Sequence, residues 1–280
     1  MRFASAMLWR AARLPFFGRL MAHRLLDTFD PGPLPYWVRL ATGPADLRST
    51  PGCLRFVVEG ADDTKLADAE LGDYHDHPRP RLPWRPPLRM AIRARFSHPA
   101  DALAGTGGFG FWNNPFRTGG GQVFAPPNAL WFFCASTRSD MVVTPGHPGH
   151  GFRAEMINGG TMPGWLVTLG DRLLQLPGLR SLLYRAAQAQ VHAGASRLEG
   201  LDPTRWHDYV LFWSRSEAVF SVDAHEVLRV EHPPTVALGF VAWMDNQLAI
   251  ARPDGEFRFG LEAVPGPQWL ELNRIEIERF

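Results

Sequence analysis

Residues 206–230 read WHDYVLFWSRSEAVFSVDAHEVLRV. Three apolar runs, 207–213, 217–222 and 225–231, are separated by breaks of only a few polar residues, which is the spacing of β-strands joined by tight turns. The same texture extends in both directions. Strands are predicted at 36–41, 53–59, 65–71, 88–96, 107–113, 129–135, 152–157, 236–244, 257–262 and 269–279, divided by Gly, Pro, Asp and Asn. In LRMAIRARF, Leu88, Met90, Ile92, Ala94 and Phe96 share one face and Arg89, Arg93 and Arg95 the other. In LELNRIEIERF, Leu270, Leu272, Ile275 and Ile277 alternate with acids after one register break near Asn273, the mark of a bulge. Many short strands without a βαβ rhythm predict an all-β sandwich.

Two segments depart from this pattern. Residues 1–24 carry Arg2, Arg10, Arg13, Arg19 and Arg24 among apolar residues and no acid. Arginines interrupt the apolar run every few residues, unlike a signal peptide, and no stretch reaches the length of a membrane span. A basic amphipathic helix is expected, packed on the domain or resting on an anionic membrane surface. Residues 163–192 place Leu166, Leu169, Leu173, Leu174 and Leu176 before a Pro177-Gly178 turn, then Leu179, Leu182, Leu183 and Tyr184. That spacing predicts a helical hairpin inserted between strands, as a lid beside a binding face or a cover on a sheet edge. The expected organisation is a segment 1–24 and one domain, 25–280, carrying the insertion 163–192.

The chain has 280 residues, 45% hydrophobic and 20% charged, with formal net charge +1. A domain of this size needs no disulfide staple. The charge balance gives no field for nucleic acid, which is not expected as a partner. Cys53 and Cys134 lie in strand-like runs and read as buried free thiols. No cofactor signature occurs: GTGGFG, 105–110, lacks the Lys-Ser/Thr and the helix of a phosphate loop. YHDHP, 74–78, and His147 with His150 offer imidazoles but no third ligand at a typical spacing, so no metal site is expected.

Three segments resemble the concanavalin A-like lectin/glucanase superfamily, the laminarinase and lichenase kind: LRMAIRARFSHPADALAGTGGFGFWNN, residues 206–230 with their two aromatic anchors and hairpin, and the closing strand WLELNRIEIERF. LLDTFD, 25–30, takes the place of the opening strand. The resemblance implies a jelly roll of two antiparallel sheets with a ligand groove on the concave face. Retaining glucanases carry nucleophile and acid on one strand as E-I-D-x-E, because the mechanism needs two carboxyls ~5 Å apart. The corresponding strand here, NALWFFCAST at 128–137, has no acid, and Trp131, Phe133 and Cys134 occupy it. The family mechanism is therefore not expected.

The expected groove residues are Trp112, Asn113, Trp131, Trp213, Trp243, Asp245 and Asn246: rings for apolar sugar faces and a few polar fingers. Strand alternation sends Trp206 and Tyr209, with Trp213, to positions where large rings pack in or under such a groove, and Asn114 follows Asn113. Asp68, Asp73 and Asp245 are weak candidates for a general base, since burial beside rings raises a carboxyl pKa. The expected function is non-hydrolytic binding of a ligand, a carbohydrate in the first instance. The alternative is an intracellular, membrane-associated enzyme taking an apolar or lipid-linked substrate, with 163–192 as lid and 1–24 on the membrane; the expected location is cytoplasmic, at most peripheral to the inner membrane face. A partner-docking domain using the hairpin is a third reading.

Overall fold

A computed structural model describes residues 24–115, 125–142, 148–160, 191–251 and 257–280. Among the described residues strand makes up 57% and helix 1%, with no βαβ unit. The strands are β1 (Arg24–Asp27), β2 (Val38–Thr42), β3 (Ala45–Thr50), β4 (Cys53–Val58), β5 (Asp68–Gly72), β6 (Leu88–Phe96), β7 (Thr106–Trp112), β8 (Asn128–Ala135) and β9 (Asp140–Met141), then β10 (Gly151–Asn158), β11 (His192–Arg197), β12 (His207–Trp213), β13 (Glu217–Val222), β14 (His225–Glu231), β15 (Gly239–Asp245), β16 (Gln247–Ala251), β17 (Phe257–Leu261) and β18 (Gln268–Arg279).

They form two large antiparallel sheets. The first runs β14-β13-β12-β6-β18-β4-β3, with β1 on β18; the second runs β11-β10-β8-β7-β15-β5-β2. β17, β16 and β9 make a small third sheet. The predicted alternation is realised. Leu88, Met90, Ile92, Ala94 and Phe96 are fully buried between the sheets. Arg93 and Arg95 turn outward, to Asp208 at 3.0 Å and Glu271 at 2.7 Å. The register of β18 on β6 slips between Leu272 and Arg274, at the expected break. The closing strand pairs with the opening one, Leu25 facing Ile277.

Aromatic rings lock the sheets together. Tyr209 of β12 meets Phe132 of β8 edge-on at 5.0 Å and Phe109 of β7 at 5.1 Å. Trp213 packs on Phe111 at 5.6 Å, and its indole donates to the Pro234 carbonyl at 2.9 Å. Cys134 is buried in this core and Cys53 half-buried at its edge, both free thiols; burial pushes the Cys134 thiol up to about 12.

Sequence bounds err where side chains override the pattern. The strand expected from residue 65 begins at Asp68. The Asp62 carboxylate accepts from the Thr64 and Lys65 amides, at 2.9 Å each, and turns the chain there. β3, β9, β11 and β16 were not expected. The expected helix 1–24 and hairpin 163–192 lie outside the described residues, apart from Arg24 in β1 and residues 191–192, where His192 opens β11.

Candidate functional site

Period-two alternation gives the second sheet an outer face as well as a core face. Phe109, Phe111, Leu130, Phe132, Phe152, Ala154, Phe240 and Ala242 point into the sandwich. Their neighbours point away from it, and the strand register arranges these in rows across the sheet. One row reads Asp68, Asp245, Thr106, Ala135, Gly151. The next reads Glu70, Trp243, Gly108, Phe133, Arg153, Arg197. The third reads Gly72, Val241, Gly110, Trp131, Glu155, Ala195, and the fourth begins Gly239, Trp112, Ala129.

The middle of this face is aromatic because β7 presents glycines there. A Cβ on Gly108 would stand 3.2 Å from the Trp243 ring, and one on Gly110 2.7 Å from the Trp131 Cβ. Without them, Trp243 of β15 reaches across β7 to Trp131 at 5.6 Å and Phe133 at 5.9 Å. Trp131 stacks on Phe133 at 5.5 Å and approaches Trp112 at 6.4 Å. Tyr74, from the loop after β5, closes the string edge-on to Trp112 at 5.3 Å. Phe133 and Trp243 are buried; Trp112 and Trp131 keep part of their surface accessible.

Charged groups flank the rings at both ends, an ion pair on one side and carboxylates on the other. At the β10 end, Arg153 and Glu155 are both buried, with the Arg153 Nε 3.5 Å from the Glu155 Oε2. The Trp131 indole donates to that same carboxylate oxygen at 3.1 Å, and the Arg153 guanidinium lies over Phe133, 4.9 Å from its centroid. At the β5 end, Glu70 accepts from the Tyr74 hydroxyl at 2.6 Å. His75 stacks on Tyr74 at 4.0 Å, and its Nε2 lies 2.8 Å from Glu70 Oε1, off the line a hydrogen bond needs.

Of the candidate bases, Asp68 and Asp245 are brought together as directly paired residues on neighbouring strands. Part of Asp68 stays accessible, yet burial of its carboxyl, then the charges of Glu70 and Asp245, hold it well above the usual carboxylate range. Burial also raises Asp245 to about 6, against hydrogen bonds from Thr106 and Gln247 that pull it down. Those bonds occupy both its oxygens: Oδ1 accepts from the Thr106 amide and hydroxyl, Oδ2 from the Gln247 side chain at 2.7 Å. Asp73 is placed elsewhere. It is buried at the end of the core, where it accepts from the Phe240 amide at 2.7 Å, the Trp84 indole at 2.6 Å and the Tyr36 hydroxyl at 3.0 Å. Burial raises it to about 6.

The expected groove residues divide in the same way. Trp112, Trp131, Trp243 and Asp245 lie on the outer face. Trp213 does not: it is fully buried between the sheets, a core ring. Asn113 and Asn246 are structural clamps. Asn113 binds the Pro126 carbonyl and the Asn128 amide. Asn246 accepts from the Ala67 amide and donates to the carbonyls of Asp62, Lys65 and Glu262. Sequence reading missed Phe133 as a site ring, and with it Glu70, Arg153 and Glu155. The signal was present in GFRAEMIN, where Arg153 and Glu155 alternate with Phe152, Ala154 and Met156. Among the described residues no group of three metal-ligating side chains occurs, and no helix is long and apolar enough to cross a membrane.

No family model matches the chain, and no curated protein does. Solved structures do match in fold. A prokaryotic β-1,3-1,4-glucanase (lichenase) derived from a mouse hindgut metagenome is 11% identical, with a TM-score of 0.52 over 92% of this chain and 99% of its own. The Bacillus licheniformis β-glucanase is 10% identical, with a TM-score of 0.51 over 93% of this chain and 100% of its own. An apo Crh5 transglycosylase gives 0.51 at 10% identity, over 93% and 85%. The fold is thus the concanavalin A-like jelly roll that these enzymes share.

Proposed function

We propose that the chain binds a carbohydrate on the outer face of its second sheet and does not hydrolyse it by the two-carboxyl route of retaining glucanases. The observation that carries this reading is the ring string Tyr74–Trp112–Trp131–Phe133–Trp243, set on that face between the carboxylates of β5 and β15 and the Arg153–Glu155 pair of β10. Pyranose rings offer apolar C–H faces and polar edges, which stacked indoles and flanking charges complement. The fold neighbours named as glucanases act on β-glucans, which makes β-linked glucans the first ligands to try.

The carboxyl geometry supports binding without turnover. The outward positions of β8 are Ala129, Trp131, Phe133 and Ala135, with no acid among them. Glu70 and Glu155 lie on strands four spacings apart, roughly 19 Å at the usual strand separation, far beyond the ~5–9.5 Å that either glycosidase geometry uses. Asp68 and Asp245 are close enough, but Asp245 spends both oxygens on Thr106 and Gln247.

A thermal-shift titration with laminari- and mixed-linkage β-glucan oligosaccharides tests the binding, with a reducing-end assay on the same mixtures. At a hundredfold excess over Kd, binding adds about 2.7 kcal/mol, or roughly 5–11 °C in Tm for a chain of this size. The expected result is a shift lost in Trp131→Ala and no new reducing ends. Release of reducing ends, abolished by Asp68→Asn, would overturn the non-hydrolytic reading. No shift with any saccharide would overturn the carbohydrate reading.

A further inference from the structure

We infer that the β10 end of the ring-lined face selects an acidic saccharide, one bearing a carboxylate or sulfate on the sugar ring, through the unspent edge of Arg153. This rests on the carbohydrate reading above and specifies its ligand class.

Arg153 is 2% exposed, although it sits on the face turned away from the core. A guanidinium has five N–H donors and no way to shed its charge. Only Nη1 has a hydrogen-bond partner, the Pro148 carbonyl at 3.0 Å. Nε and Nη2 have none. Glu155 is close enough to offset the charge, with 3.5 Å between Oε2 and Nε, but that oxygen already accepts the Trp131 indole. A buried pair built for structure alone would satisfy the fork bidentately. Here Phe133 supports the guanidinium plane from one side and the Nε–Nη2 edge remains unused.

That edge matches two oxygens of a carboxylate or a sulfate, with two parallel N–H groups meeting them. A second arginine stands beside it, 3.8 Å from the exposed Glu199 carboxylate. Arg197 is the register partner of Arg153 on β11, and its guanidinium lies against Gly151, where a Cβ would be 3.3 Å from Nη2. The opposite end of the face carries Glu70, Asp68 and Asp245, so an acidic substituent is favoured at one end only. Trp131, bonded to Glu155 and stacked on Phe133, puts a sugar-stacking ring next to the fork.

The test uses one saccharide backbone in three forms: laminarihexaose, its C6-oxidised uronate form, and its 6-O-sulfated form, titrated calorimetrically into the full chain at low salt. A mixed-linkage hexasaccharide series runs in parallel. Either acidic form, and which one identifies the oxyanion, is expected to bind at least about tenfold tighter than the neutral one, the usual scale of a hydrogen bond to a charged group. Arg153→Met removes that preference, so that acidic and neutral forms bind alike; Arg153→Lys keeps the charge but loses the fork, and most of the preference with it. If Arg153→Met does not fold, Glu155→Gln reads the same edge, raising affinity for the acidic form only. Neutral binding with no acidic preference overturns this inference and leaves the carbohydrate reading standing. Acidic and neutral forms that lose affinity equally in Arg153→Lys overturn it too, because the residue is then a structural support. No binding of any form overturns both.

Discussion

Raising the pH from 4 to 8 is expected to destabilise this protein, opposite to the usual behaviour of a protein whose carboxylates are salt-bridged. Asp73 and Asp245 are both buried and both raised from 3.8 to about 6. The sign follows from proton counting. Between 3.8 and 6 the folded chain holds protons that the unfolded chain has released, so stability falls as pH rises. Stability from each group is fully present below about pH 4 and is lost as pH climbs through 6. Moving a carboxyl from 3.8 to about 6 corresponds to roughly 3 kcal/mol per site. Asp68 adds to the loss in the same direction. The carboxyls that hydrogen bonds pull down, Asp62, Asp202, Asp223 and Glu226, work in the opposite sense but below about pH 4.5. Urea unfolding midpoints at pH 5, 6.5 and 8, at constant ionic strength, measure the slope. Asp73→Asn should flatten it, although the variant is less stable throughout because an amide cannot accept from Phe240, Trp84 and Tyr36 together. A midpoint that is level or rises from pH 5 to 8 would refute the claim that these carboxyls lie desolvated.

Further outcomes follow from the placement of single residues. Trp213→Ala should cost about 4 kcal/mol by emptying a core site, a fall of roughly 8–16 °C in Tm read by calorimetry. Trp131→Phe keeps a ring but strips the indole donor from buried Glu155, costing about 1.5–3 kcal/mol, measured by urea unfolding at pH 7. Gly105→Ala should be among the most disruptive small changes. Gly105 has φ +76°, and a Cβ there would stand 2.1 Å from the Asp245 carbonyl oxygen; poor soluble yield or a Tm drop checks it.

How far the sequence carried depends on which force decides each feature. Strands with one wet and one buried face announce themselves: Leu88–Phe96 and Glu217–Val222 match their predicted bounds to the residue. The register break at Asn273 is legible for the same reason. Ala45–Thr50 was not, because ADLRST is an edge strand with little to bury. His192–Arg197 was hidden by small residues, HAGASR. The site was half legible. Trp213 and Trp243 look alike in a one-dimensional pattern, each closing an apolar strand. Which one faces outward is set by sheet packing, and strand alternation alone does not reveal it. The meeting of Trp243 with Phe133 was equally hidden, since it depends on glycines of a third strand lying between them. The paired acids Asp68 and Asp245 are 177 positions apart, and only register joins them.

The most direct test of the central claim is calorimetric titration of a β-glucan hexasaccharide series, neutral and acidic, into the wild-type chain and into Trp243→Ala, with Trp213→Phe as the core control. Saturable binding that is abolished by Trp243→Ala and retained by Trp213→Phe is the predicted result. Binding that survives Trp243→Ala, or no binding by the folded wild-type protein, would contradict the assignment of this ring-lined face as a saccharide site.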